Sequence, residues 1–480
     1  MLSTIDMTLS PLDRAGARDE PTTSGPAQPD LCKLVPSRYN ARTVDEEDGR
    51  VILWNTFTGA INAFESAQRE AVLRRLAPSG WTGPRDRVVE YLAKRGYLVP
   101  EGTNELDAFR LSYARQQWRT DVLELTLLAS EDCNFRCVYC YEQFKRGTMR
   151  PDVRLGVRSL IAGRARYLRE LRLEWFGGEP LYGWDAIADI APFVKQVIDD
   201  HGLVGGQTMT TNGYLLTEER ATKLLEWGCR GYQITVDGLP AEHDCKRVGR
   251  DGSPTYDVIM DNLRSLKARK DRFIVAIRVN YDQLNAPKLL PFLDTLAEDF
   301  ADDPRFVLRF RAVGKWGGEN DANLSTCGVG EQRAMIDQLR TKADDVRLHQ
   351  EAGITVASEF GSQVCYAARP YHLIVGANGA IMKCTVALDK VPENIVGHLE
   401  PDGTFEMNDA HMAKWVNPHF ETDTMCQKCY VLPTCQGAQC PLSRVMYGTR
   451  TCCAVKSELK TEMRYTLRRA PRRHTSLATA

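Results

Sequence analysis

The chain has no run of about 18 apolar residues, the length a helix needs to cross a bilayer, so no helical membrane span is expected. Its first thirty residues, MLSTIDMTLSPLDRAGARDEPTTSGPAQPD, lack the basic-then-apolar order of a secretory signal. The cytoplasm is therefore the expected compartment. An excess of charge is missing too: 62 Lys and Arg stand against 63 Asp and Glu, a net charge of −1. Nothing in that balance calls for a nucleic acid or a membrane as partner. The local exception is the tail, where Arg464, Arg468, Arg469, Arg472 and Arg473 crowd together.

Cysteine is what the chain has in plenty. Fifteen of its 480 residues are cysteines, and in a reducing compartment they cannot be assumed to form disulfides. They are expected to bind metal. Most fall in two clusters, around residues 133–140 and between 365 and 453.

The pattern along the chain divides it into five parts. Residues 1–30 read as a disordered arm, rich in Pro, Ser, Thr, Gly and Asp without apolar periodicity. Residues 31–118 contain two strand-like runs, RVILWNT and TGAINAF, then ESAQREAVLRRL and RDRVVEYLAKRGYLV with helical spacing. That is a small winged-helix-like domain, and its helices carry no basic track for a phosphate backbone, so peptide contact is favoured over nucleic acid. Residues 119–315 repeat a strand-then-helix unit six times, with strands at ELTLLAS, LRLEWFGG, TMTTNG, GYQITVDG, FIVAIRVNY and FVLRFRAVG. An α/β fold built on a partial parallel (β/α)6 barrel is expected, with its chemistry at the C-terminal strand ends. Residues 316–460 hold a helix candidate, EQRAMIDQLRTKADDV, and a loop-rich, cysteine-dense region where metal would replace a large core. A basic tail, 461–480, completes the chain.

Directly after the first barrel strand, CNFRCVYCYE sets Cys133, Cys137 and Cys140 in a C-x-x-x-C-x-x-C pattern, with Tyr139 before the last. A structural zinc site is the competing reading, and three thiolates lack its usual fourth ligand. The pattern resembles the signature of the radical S-adenosylmethionine superfamily. The resemblance implies a [4Fe-4S] cluster held by three thiolates, its fourth iron chelated by the amino and carboxylate groups of S-adenosylmethionine, and reductive cleavage of that cofactor to a 5'-deoxyadenosyl radical. Later strand ends supply matching elements: Gly177, Gly178 and Glu179 in FGGEP resemble the element that accepts the cofactor's amino group, and Thr211 with Asn212 in TTNG the ribose-contacting turn. Alternation in YQITVDG puts Gln233, Thr235 and Asp237 on one face, where polar groups inside a barrel imply a ligand. The same argument picks out Arg278 with Asn280 and Arg309 with Arg311, against outward ion pairs with helix carboxylates. Arg247 is a candidate for the cofactor carboxylate, against a surface salt bridge. No catalytic acid or base is assigned.

In the second cluster Cys365 is followed by Gly379 and Cys384, then by Cys426, Cys429, Cys435, Cys440, Cys452 and Cys453. This arrangement resembles the SPASM domain, and the resemblance implies two further [4Fe-4S] clusters, three in all. By position, one takes Cys365, Cys384 and Cys440, the other Cys426, Cys429, Cys435 and Cys452, with Cys453 as rival for the last place. The fourth ligand of the first is Cys327, a substrate thiolate or none. A zinc knuckle is the alternative for Cys426, Cys429 and Cys435. CQGAQC spaces Cys435 and Cys440 by four residues where the SPASM pattern has three. Cys32, Cys229 and Cys245 have no motif and are expected to be buried as small apolar residues.

The resemblance runs from about residue 31 to the end of the second cluster, and its N-terminal part is similar to leader-recognition domains of ribosomal-peptide maturases, which bind a peptide along a sheet edge. It implies a precursor peptide as substrate and an external electron donor of flavodoxin or ferredoxin type. Sulfatase maturases place an aspartate after the cysteine that here is Cys384, whereas this chain has Thr385. With GKWGG at 314–318 and LPTCQGAQCPL, that favours thioether-forming maturases. Carbon–carbon crosslinking enzymes share the architecture. A non-catalytic iron–sulfur scaffold is the contrasting class, and it would gain nothing from a cofactor-binding cluster.

Overall fold

A computed structural model describes residues 33–351, 365–437, 441–450, 452 and 454–469. The expected arm, Cys32, Cys440, Cys453 and the tail beyond Arg469 lie outside the described residues. Two compact units emerge: one takes the residues up to Trp118, the segment ending at Arg369 and everything from Val416, and the other comprises Arg119–Glu351 and Pro370–Trp415.

In the first unit β1 (Leu34–Pro36) pairs antiparallel with β5 (Leu98–Pro100), and β2 (Asn40–Val44), β3 (Val51–Asn55) and β4 (Ile61–Phe64) form an antiparallel sheet in that order. Helices Arg69–Arg75 and Arg87–Lys94 follow the sheet, and Glu105–Gln117 ends this stretch. The two strands and two helices expected from periodicity are present; β1, β2 and β5 are additions. They are three to five residues long, too short for alternation to register.

All five residues of β3 are buried, and the pleat explains what each face needs. Val51 and Leu53 join Val72, Val89 and Leu92 from the two helices in one core. Ile52 and Trp54 point the other way and pack with Val431, Leu459 and Met463. The second face is thus covered by helix Ala454–Arg469, some four hundred residues downstream.

The second unit is built on one eleven-stranded sheet. Its strands are β6 (Val122–Ser130), β7 (Glu170–Gly177), β8 (Val204–Thr211), β9 (Cys229–Thr235), β10 (Ile274–Tyr281), β11 (Phe306–Ala312), β12 (His349–Gln350), β13 (His372–Val375), β14 (Ala380–Met382), β15 (Ile395–Leu399) and β16 (Phe405–Met407). Strands β6 to β11 are neighbours in chain order, every pair parallel, as six successive βα units require. The run is not closed on itself: β12 pairs with β11, and β13 pairs parallel with β6 before the sheet continues antiparallel through β16. β6 is buried from Leu123 to Ser130, which matches its nearly continuous apolar run and its central place.

Candidate functional site

The C-terminal ends of β6 to β11 converge on a cavity of about 190 Å3. Its wall includes Cys133, Cys137 and Cys140 after β6, Gly177 and Gly178 at the end of β7, Thr211 and Asn212 after β8, Thr235 on β9, Asn280 on β10 and Ala312 to Gly314 after β11. The structure therefore brings the three cysteines together with most of the residues expected to hold a cofactor.

The cysteine loop is held by backbone pairing from both sides. Arg136 N donates to Val248 O at 2.9 Å, Val138 N to Lys246 O at 2.9 Å and Arg250 N to Asn134 O at 2.7 Å, so residues 134–138 lie along residues 246–250. From the other side Gly178 N donates to Ser130 O and Glu179 N to Asp132 O, each at 3.0 Å. A Cβ on Gly177 would sit 2.2 Å from Ser130 O, and one on Gly178 2.5 Å from Asp132 O; Gly177 also has φ +118°. These glycines let the loop after β7 approach the carbonyls before the cysteines, and both also line the cavity.

Glu179 follows these glycines. Its carboxylate is fully buried, is absent from the cavity wall, and accepts hydrogen bonds from Leu181 N (3.0 Å), Thr211 Oγ1 (2.7 Å) and Asn212 N (2.7 Å). It ties the turn after β8 to the loop after β7. Burial raises its pKa against the pull of those hydrogen bonds. Asn212, so placed, directs Nδ2 to Asn134 Oδ1 at 2.8 Å and to Cys133 Sγ at 3.8 Å.

Tyr139, Asp237 and Arg247 form a single network with Asn280. The Tyr139 hydroxyl donates to Asp237 Oδ2 and accepts from Arg247 Nη1 at 2.8 Å and Asn280 Nδ2 at 3.2 Å. Asp237 Oδ1 accepts from Asn280 N at 2.8 Å. Asp237 is wholly buried and braces Tyr139 from behind the wall. Burial disfavours the Arg247 cation, but Tyr139, Cys137 and Asp237 more than offset this and hold it protonated. Arg247 Nε is buried on the cavity wall with no acceptor among the described residues. That orphaned donor is what a carboxylate from a bound cofactor would satisfy.

The inward arginines divide. Arg278 lines the cavity, its Nε donating to Asn280 Oδ1 at 2.8 Å. Arg309 lies on the same face through Gln233 Oε1 at 2.7 Å, yet is also ion-paired to Glu351 at 2.6 Å; Arg311 reaches the same carboxylate at 3.5 Å. Glu351 enters from just beyond β12, a partner that no local pattern could indicate. Sequence reasoning also missed Glu142, Phe144 and Trp316 on the wall. Burial lifts Glu142 to about 8, with Glu131 adding to the effect.

Of the second cysteine group, Cys426, Cys429, Cys435 and Cys452 line one cavity in the first unit. Cys365 falls in the first unit and Cys384 in the second, and Cys440 lies outside the described residues. Cys229 is buried as expected, but Cys245 is exposed, its thiol donating to Glu242 O at 3.3 Å, because it sits on the outer side of the short helix Pro240–Lys246. Cys327 is buried near Glu331, Asp282 and Lys246. No three His, Cys, Asp or Glu side chains among the described residues gather around a point that suits a single metal ion. A cubane asks for something different, with each thiolate on its own iron.

Comparison with known proteins agrees with this geometry. Residues 127–286 match the Radical SAM superfamily and form a radical SAM domain. The radical SAM cyclopropyl synthase TigE of Paramaledivibacter caminithermalis is 24% identical over 208 residues, 38% of this chain and 41% of that protein. A GTP 3',8-cyclase of Tolumonas auensis is 32% identical over 122 residues, 24% of this chain and 33% of that one. The chain thus spans about two fifths or less of the length of these relatives. Among solved structures, native anSMEcpe with bound AdoMet and the Cp18Cys peptide superposes with a TM-score of 0.53 at 16% identity, covering 72% of this chain and 96% of that one. The fold is that of radical SAM enzymes. No described helix is long and apolar enough to cross a membrane.

Proposed function

We propose that the chain is a radical S-adenosylmethionine enzyme that removes a hydrogen atom from a ribosomally made precursor peptide and closes a thioether to a cysteine of that peptide. The observation that carries this is the convergence of Cys133, Cys137 and Cys140 with the unsatisfied Arg247 Nε on one cavity at the ends of six parallel strands. A [4Fe-4S] cluster on the three thiolates, with S-adenosylmethionine on its fourth iron, supplies a 5'-deoxyadenosyl radical on one-electron reduction. The chain's own residues have separable tasks. Arg247, fixed by Tyr139, offers Nε to the cofactor carboxylate. Thr211, Asn212 and Thr235 line the wall where the nucleoside would lie, and Gly177 and Gly178 leave room beside the cysteine loop. Phe144, Trp316 and Phe176 add apolar surface that limits water at the reacting carbon.

Two further clusters belong to this reading, one on Cys426, Cys429, Cys435 and Cys452 and one on Cys365, Cys384 and Cys440. Closing a carbon–sulfur bond after hydrogen removal releases one electron and one proton, and an auxiliary cluster is a suitable acceptor for that electron. An external flavodoxin- or ferredoxin-type donor supplies the first electron. Residues 31–118 bind the leader of the precursor; the sheet edges at β2 and β4 are where an added strand would pair. The peptide in the anSMEcpe structure is a precedent for the fold taking such a substrate.

Incubation or coexpression with the precursor tests the reaction. The product should be about two mass units lighter per crosslink and lose one iodoacetamide-reactive thiol. Replacing the acceptor cysteine with alanine should abolish the mass loss and leave 5'-deoxyadenosine formation intact. TigE, a cyclopropyl synthase by name, favours a second reading in which a carbon–carbon bond forms. A two-unit loss that persists in a cysteine-free precursor decides for that reading.

A further inference from the structure

The four-cysteine cavity of the first unit has a charged surround that its ligand role does not require. Arg444 is 13% exposed and directs Nη2 to Cys426 Sγ at 3.7 Å, to Asp423 Oδ2 at 3.1 Å and to Gly437 O at 3.1 Å. Its Nε is buried with no acceptor among the described residues. Lys456 lies on the first turn of the helix that begins at Ala454, lines the same cavity and is exposed at its outer side. Arg450 completes the set, bound to Asp423 at 2.9 Å. Two arginines thus share the Asp423 carboxylate, and Lys456 adds a third cation on the cavity wall.

We infer that Arg444 and Lys456 set the reduction potential of this site, raising it so that an electron is held there; this rests on the reading of Cys426, Cys429, Cys435 and Cys452 as cluster ligands. A cubane on four thiolates carries a charge of about −2 when oxidised and about −3 when reduced. Each fixed cation therefore favours the reduced form by more than the oxidised one. An N–H donor aimed at a ligand sulfur acts in the same direction. Arg444 offers such a donor to Cys426, and Lys456 shares the cavity wall with Cys429 as a fixed positive charge. The buried Arg444 Nε, without an acceptor among the described residues, is free to serve a sulfide of the cluster. The site would be suited to receive the electron released on bond closure.

The test is a redox titration monitored by EPR on the full-length reconstituted protein. A C133A/C137A/C140A background removes the radical cluster and should retain about eight irons with two reduction waves. Lys456 is exposed, so K456Q, K456E and K456R should all fold. K456Q should move one wave to more negative potential, K456E should move the same wave further, and K456R should leave it near its original place. R444K, which keeps the charge but loses the second donor, should shift that wave in the same direction. Waves that stay put in K456Q and K456E with eight irons present would overturn the inference alone. A background that binds only about four irons would overturn it together with the cluster assignment beneath it.

Discussion

Arg247 owes its usefulness to what surrounds it. Its Nη1 is occupied by Tyr139, Tyr139 is braced by Asp237 and Asn280, and its buried Nε has no partner among the described residues. R247K keeps a charge but cannot serve Tyr139 and a carboxylate together. A charged hydrogen bond contributes about 1.5–3 kcal/mol, so binding of S-adenosylmethionine should weaken roughly ten- to hundredfold. Equilibrium dialysis of the reconstituted variant measures this, and an unchanged Kd at full iron content would remove Arg247 from the cofactor site. A second residue-scale consequence comes from His243, fully buried with Nδ1 accepting from Asp237 N at 3.2 Å and Nε2 beside Thr255 Oγ1 at 3.2 Å. Burial, with Arg247 adding repulsion, lowers its pKa from the ordinary 6.5 to about 3. Its folded pKa lies below the unfolded value, so the unfolded chain binds the extra proton; the contribution to stability is full above about pH 6.5 and is lost as pH falls towards about 3. Thermal melting between these limits should show that acid loss, and H243N should flatten it. The same slope in H243N would assign it to other groups.

At the scale of elements, β3 depends on cover from two directions. Trp54 is fully buried and packs with Val431, Leu459 and Met463, all far along the chain. W54A should cost about 3–5 kcal/mol, read as a lowered melting transition of the first unit, because it opens a cavity between the sheet and the last helix. A variant that melts like the parent would show that this face is not a core. The continuous apolar run RVILWNT indicated a strand, but a run without alternation gives no hint of what lies on either side. Hence residues 31–118 read as a self-contained module, whereas one face of their sheet is closed by helix Ala454–Arg469. Deleting that stretch to test leader binding would also uncover Val431, Leu459 and Met463, so exposed substitutions along β2 or β4 are the cleaner probe.

For the whole molecule, the parallel core was legible because most of its strands are short apolar-rich runs followed by a helix of clear period, while the polar β8, VGGQTMTT, is read from its place in the repeat. The cysteine loop was legible because spacing within ten residues is a local property. What sequence could not convey was the division of labour around it. Glu179 and Asp237 sit in the expected motifs, and their buried carboxylates accept hydrogen bonds from backbone and hydroxyl donors brought in from neighbouring strand ends. Glu351 reaches Arg309 across 42 residues of sequence. The central claim is that Cys133, Cys137 and Cys140 hold the cluster that cleaves S-adenosylmethionine. The measurement that tests it is 5'-deoxyadenosine formation by anaerobically reconstituted protein under dithionite, alongside iron content. The parent should bind about twelve irons and release 5'-deoxyadenosine, whereas C133A/C137A/C140A should retain about eight and release none. Equal 5'-deoxyadenosine from the two proteins, or none from a parent carrying its full iron, would contradict the account.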